Sequence, residues 1–382
     1  MHIVQIVIKN TSTLDFSLPI LWALRNKHPK AKISILYTCL NKNQILREGN
    51  FANKFCHENA IKQYDLSDFL FIKNVFLAKL IRGIFSRSYS NKTGYREDKF
   101  AALFNLSSFF KSISLSFFYH IEKIISKFIV HIENVMPTLD PDLILFDNRS
   151  ITNFYGRDII YKYFESEKKP VVLLPHAPHY NGPSDEFCIF DEKNSCFMPE
   201  YTEHWMPFKY GEPWKAAPEH YNQFIKIGYP GLDSSWKDYI FANNKETTDT
   251  IRCLVLTRKF LSKNFSRPNN YDESTLDYYE TYNFLKSLHD SIKDKGVCVE
   301  IIVKPHPSSS KDEIKKILNK IGFKNYKITF DLFYSILPNI DLVVAQFSTA
   351  LVIPISYNIP TVLVETKLQN SIHNRWPILA DF

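Results

Sequence analysis

The sequence predicts an α/β protein built from two Rossmann-like domains in tandem. Residues 2–8, 17–25 and 31–40 have the patterns of a strand, a helix and a second strand, which is how a parallel sheet covered by helices begins. A second series of apolar, β-branched strands alternating with helical segments starts after residue 250. The 382 residues suffice for two domains of ordinary size, and 45 % hydrophobic and 15 % aromatic residues are typical of a folded protein.

The first predicted domain covers residues 1–227 and contains a helical insertion at about 66–135. The insertion is rich in Phe, Leu, Ile and Lys, and its apolar residues recur at three- and four-residue steps, as in amphipathic helices. Lys and Arg outnumber Asp and Glu in it. Two interpretations stay open: helices packed on the sheet, or a face that rests on an anionic membrane surface.

The turn Gly-Tyr-Pro-Gly-Leu-Asp at residues 228–233 predicts the boundary between the domains. The stretch before it, residues 183–222, has little periodicity and is interpreted as a long connection or a substrate loop. The second predicted domain covers residues 228–365, and a C-terminal tail covers residues 366–382.

The second domain is predicted as a further series of alternating strands and helices. Its strands are expected at residues 251–257, 297–303, 326–329, 342–345 and 360–364, and its helices at residues 278–295, 311–321 and 331–337.

Charge and cysteine usage narrow the class of protein. A net charge of +7 is mild, so it suggests anionic ligands or a membrane surface and does not require nucleic acid. The six cysteines include no CxxC pair, and Cys39, Cys253 and Cys298 are predicted to be reduced core thiols of a cytosolic protein. Neither a signal peptide nor an apolar run long enough to span a bilayer is evident, so a cytoplasmic location is expected.

The most informative stretch is the strand at residues 297–303, which ends in Lys304-Pro305-His306-Pro307. The two prolines can neither continue the strand nor lie within a helix, so they fix the turn at its carboxyl end, where open α/β sheets bind ligands. Serines at positions 308–310 can cap the next helix, whose N-terminus suits an anion. The alternative is an ordinary strand-to-helix turn with an incidental histidine.

Two more strand ends in this domain carry polar side chains. Arg258 and Lys259 follow one strand, and Gln346-Phe347-Ser348-Thr349 follows another. Cations, an imidazole and two hydroxyls beside a helix N-terminus are suited to binding a phosphate. Capping of the following helix is the alternative role for the hydroxyls of the last two residues.

The first domain has a similar pattern at two strand ends. Asp147 and Arg149 follow the strand at residues 142–147, and the aspartate could act as a nucleophile, as a base or as a helix cap. His176 and His179 follow the strand at residues 170–175. Metal binding is not predicted, because no cysteine or carboxylate lies at a convincing spacing to complete a site with these histidines.

A strand ending in Lys-Pro-His-Pro, followed some forty residues later by a strand and a Ser-Thr pair, resembles the nucleotide-binding half of certain GT-B glycosyltransferases. These families use cytidine-nucleotide donors and include bacterial sialyltransferases, capsule-type Kdo transferases and CDP-glycerol polymerases. The resemblance covers residues 228–366 and implies two domains facing a central cleft. It also implies that His306, Ser348 and Thr349 contact the donor phosphate.

The likeness of the first domain to these families is limited to its predicted fold and the placement of a few residues. Retaining β-Kdo transferases use an aspartate there as nucleophile, and Asp147 with His176 or His179 is similar in placement. The acidic motif of sialyltransferases is not evident, and the His-Gly pair of CDP-glycerol polymerases is replaced here by His-Ala-Pro-His.

The resemblance therefore implies a glycosyltransferase of surface-polysaccharide biosynthesis that uses a CMP-activated acidic sugar such as Kdo. Arg258 and Lys304 are expected to bind the donor phosphate as well, with Arg149, Lys259 and Gln346 as other cleft candidates. The donor is a substrate, no cofactor is required, and the other partner is a glycan or lipid-linked glycan, reached by peripheral contact with the inner membrane face. A CDP-glycerol-type transferase, a UDP-sugar 2-epimerase-like enzyme and a non-catalytic assembly protein stay open as alternatives.

Overall fold

The computed structural model describes thirteen parts of the chain, and these form two compact units. The described parts are residues 1–7, 14–37, 50–65, 132–147, 167–174, 202–206, 224–242, 250–258, 278–293, 295, 298–306, 309–346 and 349–364. Among the described residues, the boundary between the two units lies between Asp233 and Ser234.

The first unit holds a parallel sheet of seven strands. Its strands are β1 (His2–Val7), β2 (Lys32–Tyr37), β3 (Lys62–Asp65), β4 (Leu143–Asp147), β5 (Val171–Leu174), β6 (Thr202–Met206) and β7 (Phe224–Lys226). Its described helices are α1 (Leu14–Lys27), α2 (Asn50–Glu58) and α3 (Ile132–Leu139). The strand order is β3-β2-β1-β4-β5-β6-β7, and every neighbouring pair is parallel.

The second unit holds a parallel sheet of five strands. These are β8 (Ile251–Leu256), β9 (Val299–Lys304), β10 (Tyr326–Ile328), β11 (Leu342–Gln346) and β12 (Thr361–Val364). Its described helices are α4 (Ser234–Ala242), α5 (Tyr278–Lys293), α6 (Lys311–Ile321), α7 (Phe333–Ile336) and α8 (Val352–Ser356). The strand order is β10-β9-β8-β11-β12.

Both sheets follow from the hydrophobic pattern of the sequence. The central strands are mostly apolar, as expected where helices cover both faces of a parallel sheet, and every residue of β1 is buried. In each sheet the first strand lies inside, and the chain later continues on its other side, which is the Rossmann arrangement. The predicted α/β class with two Rossmann-like domains is confirmed. That the two domains have the GT-B arrangement, facing each other across a cleft, stays a prediction.

The prediction of an irregular connection or substrate loop at residues 183–222 is wrong for β6. Residues Thr202–Met206 pair in parallel with β5 on one side and β7 on the other. The segment mixes polar and apolar residues, so its strand is set by pairing with its neighbours more than by its own pattern. Most of the predicted helical insertion, and the tail at residues 366–382, lie outside the described residues.

Two further details of the second unit agree with the sequence. Ser310, one of the three serines predicted to cap, is the N-cap of α6 and accepts a hydrogen bond from the Glu313 amide at 3.4 Å. Gly322 ends the helix at φ +100°, a conformation that an L side chain rarely adopts. The apolar face of α6, with Ile314, Ile317 and Leu318, packs in the core against β8 and β9.

The cysteine prediction holds for one residue and fails for another. Cys253 is buried in β8, and burial raises the pKa of its thiol to about 12. Cys298 is exposed, because β9 begins only at Val299 and leaves it in the preceding connection. Cys39 lies outside the described residues. No helix in the described parts of the chain is long and apolar enough to cross a membrane.

A buried histidine lies at the amino end of the first sheet. The Nδ1 atom of His2 is 2.7 Å from the Leu139 carbonyl, and its Nε2 atom is 2.9 Å from the Ser34 hydroxyl. Since a carbonyl only accepts, Nδ1 carries the proton and Nε2 of the neutral ring accepts from Ser34. Burial lowers the pKa of His2, so the folded protein favours the neutral ring.

We expect this histidine to make stability depend on pH between about 7.5 and 5.5. At about pH 7.5, well above the ordinary pKa of 6.5, the ring is neutral in nearly all molecules of both states and contributes almost no pH dependence. As the pH falls below that value, the unfolded state binds the proton more readily, so the free energy of unfolding decreases. Urea unfolding at the two pH values should show a smaller decrease for His2→Gln than for the wild type. An equal decrease in both proteins would contradict this assignment, and His28→Gln, at an exposed position, is the control.

Candidate functional site

Three neighbouring strands of the second sheet end at the same level. Leu256 of β8 is paired with Lys304 of β9 on one side and with Ala345 of β11 on the other. The residues at the carboxyl ends of these strands, which we call the second-sheet edge, are Thr257, Arg258, Lys304, Pro305, His306 and Gln346. Four of the sequence-predicted site residues, Arg258, Lys304, His306 and Gln346, are therefore brought to one edge of one sheet.

This edge includes the point at which the strand order reverses. The chain proceeds from β8 to β9 and β10 on one side, then returns to β11 and β12 on the other. Parallel sheets bind ligands outside the carboxyl ends of the strands at such a switch point. Arg258 follows β8 and Gln346 ends β11, and the Arg258 amide donates a hydrogen bond to Gln346 Oε1 at 3.3 Å. Both residues thus lie at the position in the fold where a ligand is expected.

The turn after β9 presents an exposed imidazole at this edge. Pro305 is buried, whereas His306 is exposed. The Ser309 amide donates to the His306 carbonyl at 2.8 Å, which closes the turn. Because proline restricts the backbone before the histidine and this hydrogen bond fixes it after, the side chain has a defined starting position from which to contact a ligand.

The N-terminus of α6, next along the chain, is less suited to an anion than the sequence suggested. Asp312 and Glu313 lie in its first turn, and Ser310 occupies the cap position. These carboxylates already complement the positive end of the helix dipole, so an additional anion there would meet like charge. An anion at the second-sheet edge therefore depends on the strand-end residues.

Lys304 connects the second-sheet edge to the loop before α7. Its ammonium donates a hydrogen bond to the Asp331 carbonyl and lies 5.0 Å from the centre of the Phe333 ring. The loop that contains Asp331 is fixed further by the Thr329 amide, which donates to the Val303 carbonyl at 2.9 Å. Lys304 thus contributes positive charge beside the His306 turn while it holds the loop before α7, and direct contact with a phosphate would require these contacts to change.

Two buried hydroxyls lie at or near this edge, and the sequence predicts a ligand-binding role for neither of them. Thr257 and Ser309 are 6 % and 4 % exposed, and their hydroxyl oxygens have no hydrogen-bond partner among the described residues. The sequence predicts Thr257 as the end of an apolar strand and Ser309 as one of three serines that can cap the next helix. A polar side chain that directly follows a buried strand is the sequence signal that could have identified Thr257.

The Ser-Thr pair is described only in part. Thr349 begins a short 3-10 turn that leads into α8, so the chain turns soon after β11 ends. Ser348 and Lys259 lie outside the described residues, and the side chain of Thr349 is not described. Their proposed contact with a phosphate stays a prediction.

In the first sheet, Asp147 is the last residue of β4. Phe146 is paired with Ile6 of β1, and Asp147 is paired with Leu174 of β5. The backbone of Asp147 therefore lies at the carboxyl edge beside the β1–β4 switch point of this sheet. Its side chain is not described, and Arg149, His176 and His179 lie outside the described residues. Their catalytic roles stay predictions.

The described parts of the chain contain no group of three or more His, Cys, Asp or Glu side chains that could hold a metal ion.

The sequence matches no family model and no curated protein. Solved structures resemble the chain at low identity. A protein described as a UDP-N-acetylglucosamine 2-epimerase from Listeria monocytogenes has 12 % identity and a TM-score of 0.47, covering 98 % of this chain and 82 % of that one. A glycosyltransferase from Rickettsia africae has 12 % identity and a TM-score of 0.43, with coverage of 99 % and 88 %. At these values the likenesses carry no argument about activity, which rests below on the chain's own residues.

Proposed function

We propose that this chain is a glycosyltransferase that transfers Kdo or a related acidic sugar from a CMP-activated donor to a glycan acceptor. The acceptor is a growing bacterial surface polysaccharide, either capsule or lipopolysaccharide. One observation carries the proposal: the second-sheet edge places Arg258, the Lys304-Pro305-His306 turn and Gln346 together at the switch point of a Rossmann-type sheet.

The side chains at the second-sheet edge support a nucleoside monophosphate as the leaving group. A phosphate that leaves with negative charge is stabilised by hydrogen-bond donors and cations already in place. Arg258 and Lys304 supply positive charge, and His306 supplies a ring nitrogen that can donate from a rigid turn. Ser348 and Thr349 are proposed to add hydroxyl contacts to the same phosphate. No cofactor is part of this proposal.

Asp147 is the proposed catalytic residue of the first unit. As a nucleophile, its carboxylate would bond to the anomeric carbon while the bond from that carbon to the phosphate oxygen breaks and CMP leaves. The acceptor hydroxyl would then replace the carboxylate and lose its proton to His176 or His179. As a base, Asp147 would instead take the proton of the acceptor hydroxyl during direct attack. The two routes predict retention and inversion, respectively, at the anomeric carbon.

The proposed cellular setting follows from the substrates. A CMP-activated donor places the reaction in the cytoplasm, and a lipid-linked acceptor would bring the protein to the inner face of the membrane. A peripheral contact through the insertion at residues 66–135 is proposed for this purpose, since basic amphipathic helices bind anionic lipid surfaces.

A donor-consumption assay separates this function from an epimerase. We expect CMP release from CMP-Kdo to require a glycan acceptor and to yield an elongated glycan. An epimerase-like enzyme would instead convert a UDP-linked sugar without any acceptor. UDP-sugar conversion with no CMP-Kdo consumption would replace the proposal with that alternative. Consumption of neither donor, together with no nucleotide-induced rise in melting temperature, would favour a non-catalytic protein.

A further inference from the structure

Two polar side chains lie next to each other, deeply buried, at the switch point of the second sheet. Gln346 is fully buried and Thr257 is 6 % exposed. Ala345 is paired with Leu256, so the next step along both strands places Gln346 beside Thr257. Paired residues of parallel strands point to the same face of a sheet, and the two side chains therefore share a face.

The orientation of the Gln346 carboxamide follows from its hydrogen bond. The Arg258 backbone amide can only donate, so the atom that faces it at 3.3 Å is the carbonyl oxygen of the side chain. The NH2 group is consequently at the other end of the carboxamide. Neither Gln346 Nε2 nor Thr257 Oγ1 has a hydrogen-bond partner within the described ranges of the chain.

Two buried donors that have no hydrogen-bond partner among the described residues, at the edge where a ligand is expected, indicate a ligand. Burial removes both groups from water, which destabilises the protein unless another molecule supplies the hydrogen bonds. The NH2 group only donates, and the threonine hydroxyl can donate at the same time. The group that accepts from both is an oxygen with several lone pairs, and a negatively charged oxygen gives the strongest hydrogen bonds.

We propose that Gln346 Nε2 and Thr257 Oγ1 donate hydrogen bonds to one anionic oxygen of the nucleotide-sugar donor. The oxygen belongs either to the phosphate of the nucleotide or to the carboxylate of the acidic sugar, since both present the same acceptor. This inference rests on the proposed function, and it assigns a binding role to neutral side chains in addition to the cations and the imidazole at the same edge.

The assignment is tested by two substitutions that leave the shape of the replaced side chain nearly unchanged. Gln346→Glu keeps an oxygen for the Arg258 amide but replaces the NH2 donor with a second carboxylate oxygen. Thr257→Val removes only the hydroxyl. Binding of CMP and of cytidine is measured by titration calorimetry at pH 8, and the KM for CMP-Kdo is measured in the transfer assay.

If the oxygen belongs to the phosphate, both variants should bind CMP at least about tenfold more weakly than the wild type, with cytidine affinity unchanged. If it belongs to the carboxylate, the CMP affinity should stay constant while the KM for CMP-Kdo rises at least about tenfold. Unchanged CMP affinity together with unchanged KM in both variants would overturn the inference. Should Gln346→Glu lose its cooperative thermal transition, the Thr257→Val result decides alone.

Thr281→Val is the matched control within the same unit. Thr281 is also fully buried, and its hydroxyl also has no partner among the residues described, but it lies on α5 and not at the sheet edge. This variant should change neither the CMP affinity nor the KM. A wild-type protein that binds no CMP and consumes no CMP-Kdo would remove the proposed function itself, whereas normal wild-type binding with unaffected variants would remove only this inference.

Discussion

The Asp147→Asn variant is expected to transfer sugar at least about a thousandfold more slowly than the wild type, while its affinity for CMP stays unchanged. Asparagine has nearly the same shape but can neither attack the anomeric carbon as a carboxylate nor accept a proton efficiently. The backbone of residue 147 lies at the carboxyl edge of the first sheet, and the phosphate-binding residues are proposed on the second sheet. The loss should therefore appear in kcat, measured by CMP release at saturating donor and acceptor.

Asp140→Asn provides the matched control for this substitution. Asp140 is an exposed carboxylate of the same unit that pairs with Lys169 at 2.7 Å, and it lies just before β4 instead of at its carboxyl end. Its replacement should leave kcat within about twofold of the wild-type value, since surface ion pairs contribute little to stability. If Asp147→Asn retained wild-type kcat, Asp147 would have no catalytic role.

The His306→Ala variant is expected to lose about tenfold to a hundredfold in CMP affinity and at least as much in kcat/KM. A hydrogen bond to a charged group contributes about 1.5–3 kcal/mol, which corresponds to that range of affinity. His306 is exposed on its turn, so its removal creates no cavity and the melting temperature should change little. Calorimetric titration with CMP and the transfer assay measure the two effects.

His289→Gln, in α5 of the same unit, is the control for the imidazole. His289 packs edge-on against Phe323 and lies away from the strand ends. The His289→Gln substitution should lower the stability of the protein more than it lowers the affinity for CMP. Equal CMP affinity in His306→Ala and the wild type would exclude the imidazole from the donor site, against the role that the resemblance implies for it.

Much of the fold could be predicted because its central strands are strongly apolar. β1, β2, β8, β9 and β11 were each located within a few residues, since continuous β-branched runs are characteristic of buried parallel strands. Elements that depend on their neighbours were overlooked. β6 and the helix α4 have mixed patterns, and the structure of each is set by the sheet or core against which it packs.

The site residues could be predicted where charged or polar side chains end or directly follow a predicted strand. This pattern predicts Arg258, Lys304, His306 and Gln346, and the strand order brings them to one edge. The sequence could not show that Lys304 is engaged by the Asp331 carbonyl and the Phe333 ring, because that contact joins positions far apart in the chain. The carboxylates of Asp312 and Glu313 in the first turn of α6 were, in contrast, already visible in the sequence, and they argue against the anion expected there.

The central claim is that the carboxyl edge of the second sheet binds a cytidine nucleotide through its phosphate. The most direct measurement is a crystal structure of the protein with CMP. The account predicts the phosphate within hydrogen-bond distance of the His306 side chain and outside the ends of β8 and β11. CMP bound elsewhere, or at this edge with its phosphate directed away from His306, would contradict it.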